Sequence, residues 1–139
     1  THCISSAASD VYKRQILERT FILFSSQKEI EMLTKKDYKR GTKTLLGYGI
    51  KIAICTLGEK GSYILSRDEE LEISTEKVKA MDTTGAGDVY AAGFLAGLLK
   101  GFSLPECANL GTKVAGQSIK GYGRQRYPDA NFLQSALAC

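Results

Sequence analysis

Asp82-Thr83-Thr84-Gly85-Ala86-Gly87-Asp88 sets two carboxylates on either side of a turn built from small residues. That spacing offers an anion pocket made of main-chain amides with a proton acceptor at its mouth. Two glycines around an alanine let the backbone turn sharply and approach a ligand with no side chain between. The apolar run Val89–Lys100 follows with helical spacing. The N–H groups of Gly85 to Asp88 therefore open a helix, where unpaired donors and the positive end of the dipole favour an anion. Asp88 would repel a resident phosphate, but it suits a base that takes the proton of an attacking hydroxyl. The amides would then hold the charge of a phosphoryl group in transfer. The plainer alternative is a helix opening after a glycine turn with Asp88 as its N-cap.

Such a turn needs an element on each side. Val78–Met81 leans toward β and predicts a strand leading in. Upstream, Thr20–Phe24 is a continuous apolar run suited to a buried strand, ended by Ser25 and Ser26, which can cap the next helix. Gln27–Leu33 reads as a short amphipathic helix, and Lys36 to about Gly47 as a second one with Gly41 inside. Ile50–Leu57 reads as a central strand, Gly58–Gly61 as a turn and Ser62–Ser66 as a returning strand. Arg67–Glu70 makes another turn before a short strand at Leu71–Ser74. Beyond the motif, Leu104 to about Lys120 predicts a helix with Pro105 in its first turn. Its stripes are Leu110, Val114 and Ser118, and Ala108, Ala115 and Ile119. Pro128–Cys139 closes with a last short helix. Alternating strands and helices imply an α/β sandwich, with the motif beyond the carboxyl ends of the strands.

The chain's 139 residues suit one domain, and a formal charge of +4, spread along the chain, gives no support to a nucleic-acid or membrane partner. No run is long and apolar enough to span a bilayer. Cys3, Cys55, Cys107 and Cys139 are far apart, which predicts free thiols and a reducing cytoplasm. A single histidine, His2, argues against a histidine-rich metal site or a Ser-His-Asp triad. Residues 1–15 are small, polar and aperiodic, and Ser6–Gln15 resembles a translated sequencing-adapter read-through. They are read as a non-native or disordered leader, with 16–139 as the domain.

Asp82–Leu95 resembles the second signature of the ribokinase-like (PfkB) carbohydrate kinases. The resemblance implies an ATP-dependent phosphotransferase acting on a hydroxyl of a small sugar or nucleoside. Asp88 is the implied general base, and Gly85, Ala86 and Gly87 the anion hole. It implies a ribokinase-like three-layer α/β sandwich with a mostly parallel sheet, incomplete because relatives carry another half ahead of this one. Thr56, Gly58 and Gly61 resemble the family's nucleotide-side strand and turn, although a plain hairpin would also use these glycines. Asn109 stands where relatives offer an asparagine near the base. Ser26-x-x-Glu29 occupies the place of an Asn-x-x-Glu motif that organises Mg2+ through water, with Ser26 a departure that puts magnesium positioning in question. Asp82 and Thr84, with the carbonyls of Gly121–Gly123, stand where relatives hold a monovalent cation such as K+. A half-sheet leaves an open edge and an apolar face, which favours homo-oligomers. The alternatives are a nucleotide-binding or regulatory domain without catalysis, and a fragment inactive without its other half.

Overall fold

The computed structural model describes residues 11–75 and 78–138. Of the leader set apart above, residues 1–10 lie outside the described residues, as do His2, Cys3 and Cys139. Residues 11–18 form a helix (α1), and Leu17 within it is buried. Then follow β1 (Ile22–Ser26), α2 (Gln27–Thr34), α3 (Tyr38–Leu46), β2 (Ile52–Thr56), a 3-10 turn (Gly58–Lys60), β3 (Ser62–Ser66), β4 (Glu70–Ile73), α4 (Ala86–Leu99), α5 (Leu104–Ser118) and α6 (Ala130–Leu137). Two compact units divide the chain. The first takes the residues up to Thr56 with Tyr63–Leu71, and the second takes Leu57–Ser62 with the residues from Glu72 onward.

The sheet has strand order β1-β2-β3-β4, and the first unit holds β1, β2, β3 from Tyr63 on and the start of β4. β1 and β2 pair in parallel from Ile22↔Ile52 to Ser26↔Thr56. β1 thus starts two residues later than the apolar run suggests and takes in both serines. Its limits are set by the register against β2, and the Phe21 carbonyl just before it accepts from the N–H groups of Lys51 and Ile52. The connections Leu57–Gly61 and Arg67–Glu69 are too short for a parallel crossover, so β3 and β4 join as a meander and the sheet is mixed. α2 and α3 touch through Gly41, where a Cβ would stand 2.5 Å from the Ile30 side chain and 2.6 Å from the Thr34 hydroxyl. Ile30, Leu45, Ala53, Ile54, Cys55 and Ile64 form its buried interior.

The second unit is organised by α4 against α5. The helices approach closely along a seam of small residues. A Cβ on Gly93 would run into Val114, one on Gly97 would come 3.2 Å from the Cys107 backbone, and one on Gly111 would meet the Tyr90 carbonyl at 2.9 Å. Phe94, Cys107, Ala108, Leu110 and Val114 are buried in this unit. The strand expected at Val78–Met81 is not formed over its described residues. The segment finds partners at the end of α5 instead: the Ile119 carbonyl accepts from the N–H of Met81 (2.8 Å) and of Asp82 (3.4 Å). Cys55 and Cys107 are free, buried thiols, and burial pushes that of Cys55 up to about 12. No helix among the described residues is long and apolar enough to cross a membrane.

Candidate functional site

α4 opens on Gly85, whose φ of 76° and ψ of 1° lie in the left-handed region. Glycine reaches that conformation with little strain. No side chain caps the helix. The N–H of Ala86 folds back onto the Thr83 carbonyl at 3.1 Å, and the first regular helical bond runs from Val89 to Gly85 at 3.0 Å. The donors left to face a ligand are those of Gly87 and Asp88, with Gly85 at the bend. A Cβ built on Gly87 would meet nothing within 4 Å, so the space over this turn is open. Asp88 stands in the first turn with its side chain exposed and makes no cap, which removes the simple N-cap reading.

Asp82 works on the structure of the turn. One of its oxygens accepts from the Thr84 N–H at 2.9 Å and the other from the Gly123 N–H at 3.0 Å. Those bonds, that of Gly123 foremost, hold its carboxyl below its ordinary value. Gly123 thus turns its N–H toward Asp82, and Thr84 is engaged through its own N–H in the same bond set.

The glycine turn before β3 lies in the same unit. Gly58 (φ 61°) and Gly61 (φ 100°) both need positive φ, and the Leu57 N–H closes the turn on the Gly61 carbonyl at 2.8 Å. A side chain on Gly61 would collide with the Ile73 carbonyl. The next residue, Ser62, is buried and shares a 2.9 Å hydrogen bond with the Tyr90 hydroxyl. Tyr90 lies two residues past Asp88, so this bond couples the Gly58–Gly61 turn to the helix that carries the proposed base. Burial raises the Tyr90 phenol to about 12, keeping it neutral and able to donate. Asn109 is exposed on α5.

Thr56 and Glu29 belong to the first unit. Thr56 ends β2 in register with Ser26 and donates to the Ser25 carbonyl at 3.4 Å. Ser26 and Glu29 form a reciprocal capping box: the Ser26 N–H donates to Glu29 Oε2 at 2.7 Å, and the Glu29 N–H to the Ser26 hydroxyl at 3.4 Å. The Ser25 hydroxyl donates to the same oxygen at 3.1 Å. These bonds lower the Glu29 carboxyl below its ordinary value, the Ser26 N–H first among them. Glu29 is therefore engaged as a cap. Among the described residues no cluster of three or more histidine, cysteine, aspartate or glutamate side chains is placed to hold a metal ion.

The features missed in the residue pattern are the seam of Gly93, Gly97 and Gly111, the Ser62–Tyr90 bond and the contact of Tyr127 with Gly85. The paired spacing of Gly93 with Gly97, and of Cys107 with Gly111, was the available signal for the first. The other two bring together residues far apart in sequence and leave no local trace.

Comparison with known proteins bears on the whole constellation. The model of the pfkB family carbohydrate kinases matches residues 3–130. An uncharacterized sugar kinase of Archaeoglobus fulgidus is 41% identical over 109 residues, which are 78% of this chain and 44% of that protein. A cytidine kinase of Thermococcus kodakarensis is 36% identical over 115 residues, 79% of this chain and 41% of the relative. In three dimensions the chain is similar to a crystal structure of ribokinase from Thermotoga maritima, with a TM-score of 0.82 and 31% identity over 91% of this chain and 45% of the other. The chain thus spans less than half the length of these relatives.

Proposed function

From the premise that this chain belongs to the pfkB family of carbohydrate kinases and has the ribokinase-like α/β fold, we propose that it is the phosphoryl-transfer half of an ATP-dependent kinase for a hydroxyl group of a sugar or nucleoside. The observation that carries this reading is a helix start with no side-chain cap, behind a left-handed glycine, with an exposed aspartate in its first turn.

Asp88 accepts the proton of the attacking hydroxyl. The Gly87 and Asp88 N–H groups, with Gly85 setting their direction, receive the transferring phosphoryl group. Ala86 holds the turn through Thr83 and joins the anion hole only if that 3.1 Å bond opens. Preorganised donors of this kind are worth roughly 3–4 kcal/mol each in the transition state, which explains a turn fixed from several sides. Thr56, Gly58, Gly61 and Asn109 are assigned to the nucleotide. The glycine turn supplies backbone that a sugar or phosphate can approach.

Magnesium supplies charge neutralisation when it arrives on the ATP phosphates, its usual mode of binding. Glu29 accepts through Oε2 and Asp82 through both oxygens, so Glu29 is assigned to the ion through water and neither is assigned as a direct ligand. For the same reason Asp82 and Thr84 are assigned to the turn, and a K+ ion near them is left to titration. The acceptor is a small molecule. A cytidine kinase and a ribokinase among the similar proteins keep both nucleosides and sugars in the panel.

The test is nucleotide consumption by the chain within a protein of full family length, with magnesium and a panel of sugars and nucleosides. Turnover with one class of acceptor supports the reading. A second reading, nucleotide binding without catalysis, is favoured by one observation: Ser26 and Glu29 are spent on a helix cap. ADP binding with no turnover across the panel selects it.

A further inference from the structure

The segment after α5 meets the signature at three places. The Ile119 carbonyl accepts from the N–H groups of Met81 and Asp82, the Gly123 N–H donates to the Asp82 carboxylate, and Tyr127 reaches Gly85. The last contact is the most specific. The Tyr127 hydroxyl lies 2.5 Å from the point where a Cβ on Gly85 would stand, and its ring carbon Cζ lies 3.7 Å from it. Tyr127 is itself held, since its N–H donates to the Arg124 carbonyl at 3.2 Å, and Pro128 after it narrows its backbone freedom. The side chain is exposed, with 38% of its surface open to solvent, and its hydroxyl end is the part that meets Gly85.

We infer that Tyr127 is a positioning residue for the anion hole. Gly85 is the hinge from which the Gly87 and Asp88 donors take their direction. In the left-handed region a glycine can also move to many other conformations. The phenol occupies the space those movements would sweep and keeps the bend in one state before the phosphate arrives. The glycine and the tyrosine are complementary: a side chain at 85 fits neither the dihedral nor the space under the hydroxyl. This inference rests on the kinase reading and deepens it, because it names what preorganises the turn.

The test is a titration of the 139-residue chain with a non-hydrolysable ATP analogue, which carries the terminal phosphate that ADP lacks, followed by the amide signals of Gly87 and Asp88, with the thermal midpoint measured beside it. Tyr127→Ala should bind about tenfold more weakly through lost preorganisation. Its midpoint should stay within about 2 °C, the shift expected for a small change in stability. Tyr127→Phe keeps the ring over Gly85 and should stay within about twofold of the unmodified chain. Adding Tyr127→Ala to Gly85→Ala should weaken binding no further, because the tyrosine acts through the glycine. Unchanged affinity in Tyr127→Ala, with the amides still responding to the analogue, overturns the role of Tyr127 and leaves the kinase reading standing. If Tyr127→Phe is as weak as Tyr127→Ala, the hydroxyl touches the ligand itself and positioning is overturned. Amides of the unmodified chain that ignore the analogue overturn this inference and the anion hole together.

Discussion

Two helices of this chain start in opposite ways. α2 begins on Ser26, whose hydroxyl and N–H exchange bonds with Glu29, so its first-turn donors are satisfied from within. α4 begins on a glycine with no capping side chain, and the space where a Cβ on Gly87 would stand is open. The same orphan N–H groups exist at both places. Where a serine and a glutamate are present they stabilise the helix. Where glycine replaces them the helix gives up that stabilisation and keeps its donors for something else. α3 and α6 follow the first pattern, with Asp37 and Asp129 as caps, and α5 follows it with the Ser103–Glu106 pair. The contrast is why we propose the phosphate site at Gly85–Asp88 and not at the start of α2.

Substitutions can break this contrast from either side. The largest effect is expected for Gly85→Ala, which meets an unfavourable φ and the Tyr127 hydroxyl. Turnover of the full-length protein should fall by about a hundredfold, the loss typical of a displaced reacting group. Gly111→Val leaves the turn intact but forces α4 off α5 at Tyr90. Overpacking of this kind should reduce stability by about 3 kcal/mol in urea denaturation. Tyr90→Phe removes the buried bond to Ser62 and leaves that hydroxyl unpaired, lowering stability by about 1–2 kcal/mol. On the α2 side, Ser26→Ala should lose about 1 kcal/mol as a cap with turnover nearly unchanged. A collapse of turnover there, with stability barely altered, would return Glu29 to the magnesium.

The smallest effect is the pH dependence of the α2 cap. The folded-state pKa of Glu29 is depressed, so the unfolded chain binds its proton more readily than the folded one. The cap's contribution is therefore complete above the ordinary value of 4.5 and is lost as the pH falls through the lower folded value. The gap in urea midpoint between the unmodified chain and Glu29→Ala should close across that acid range.

The shape of the turn was legible because it is local. Gly85, Gly87 and Asp88 take their places from backbone and helix position, which neighbouring residues dictate, and the run behind them has helical spacing. β3 and the helices α2 to α6 were readable for the same reason. What escaped depends on partners distant in the chain. β1 begins at Ile22 because β2 sets its register, and Val78–Met81 forms no strand because the end of α5 takes its N–H groups. The Ser-x-x-Glu sequence resembles a metal motif from its place in the chain, and the structure adds that the same pair forms a capping box. Tyr127 could be connected to Gly85 only in space.

The central claim is that Asp88 moves a proton beside a phosphate pocket, and Asp88→Asn in the full-length protein tests it most directly. The amide keeps the size of the side chain and removes its ability to accept the hydroxyl proton. Turnover should drop by about 10²–10⁴-fold, the contribution typical of a general base, while ADP binds with its former affinity. Turnover near the unmodified rate would contradict the account.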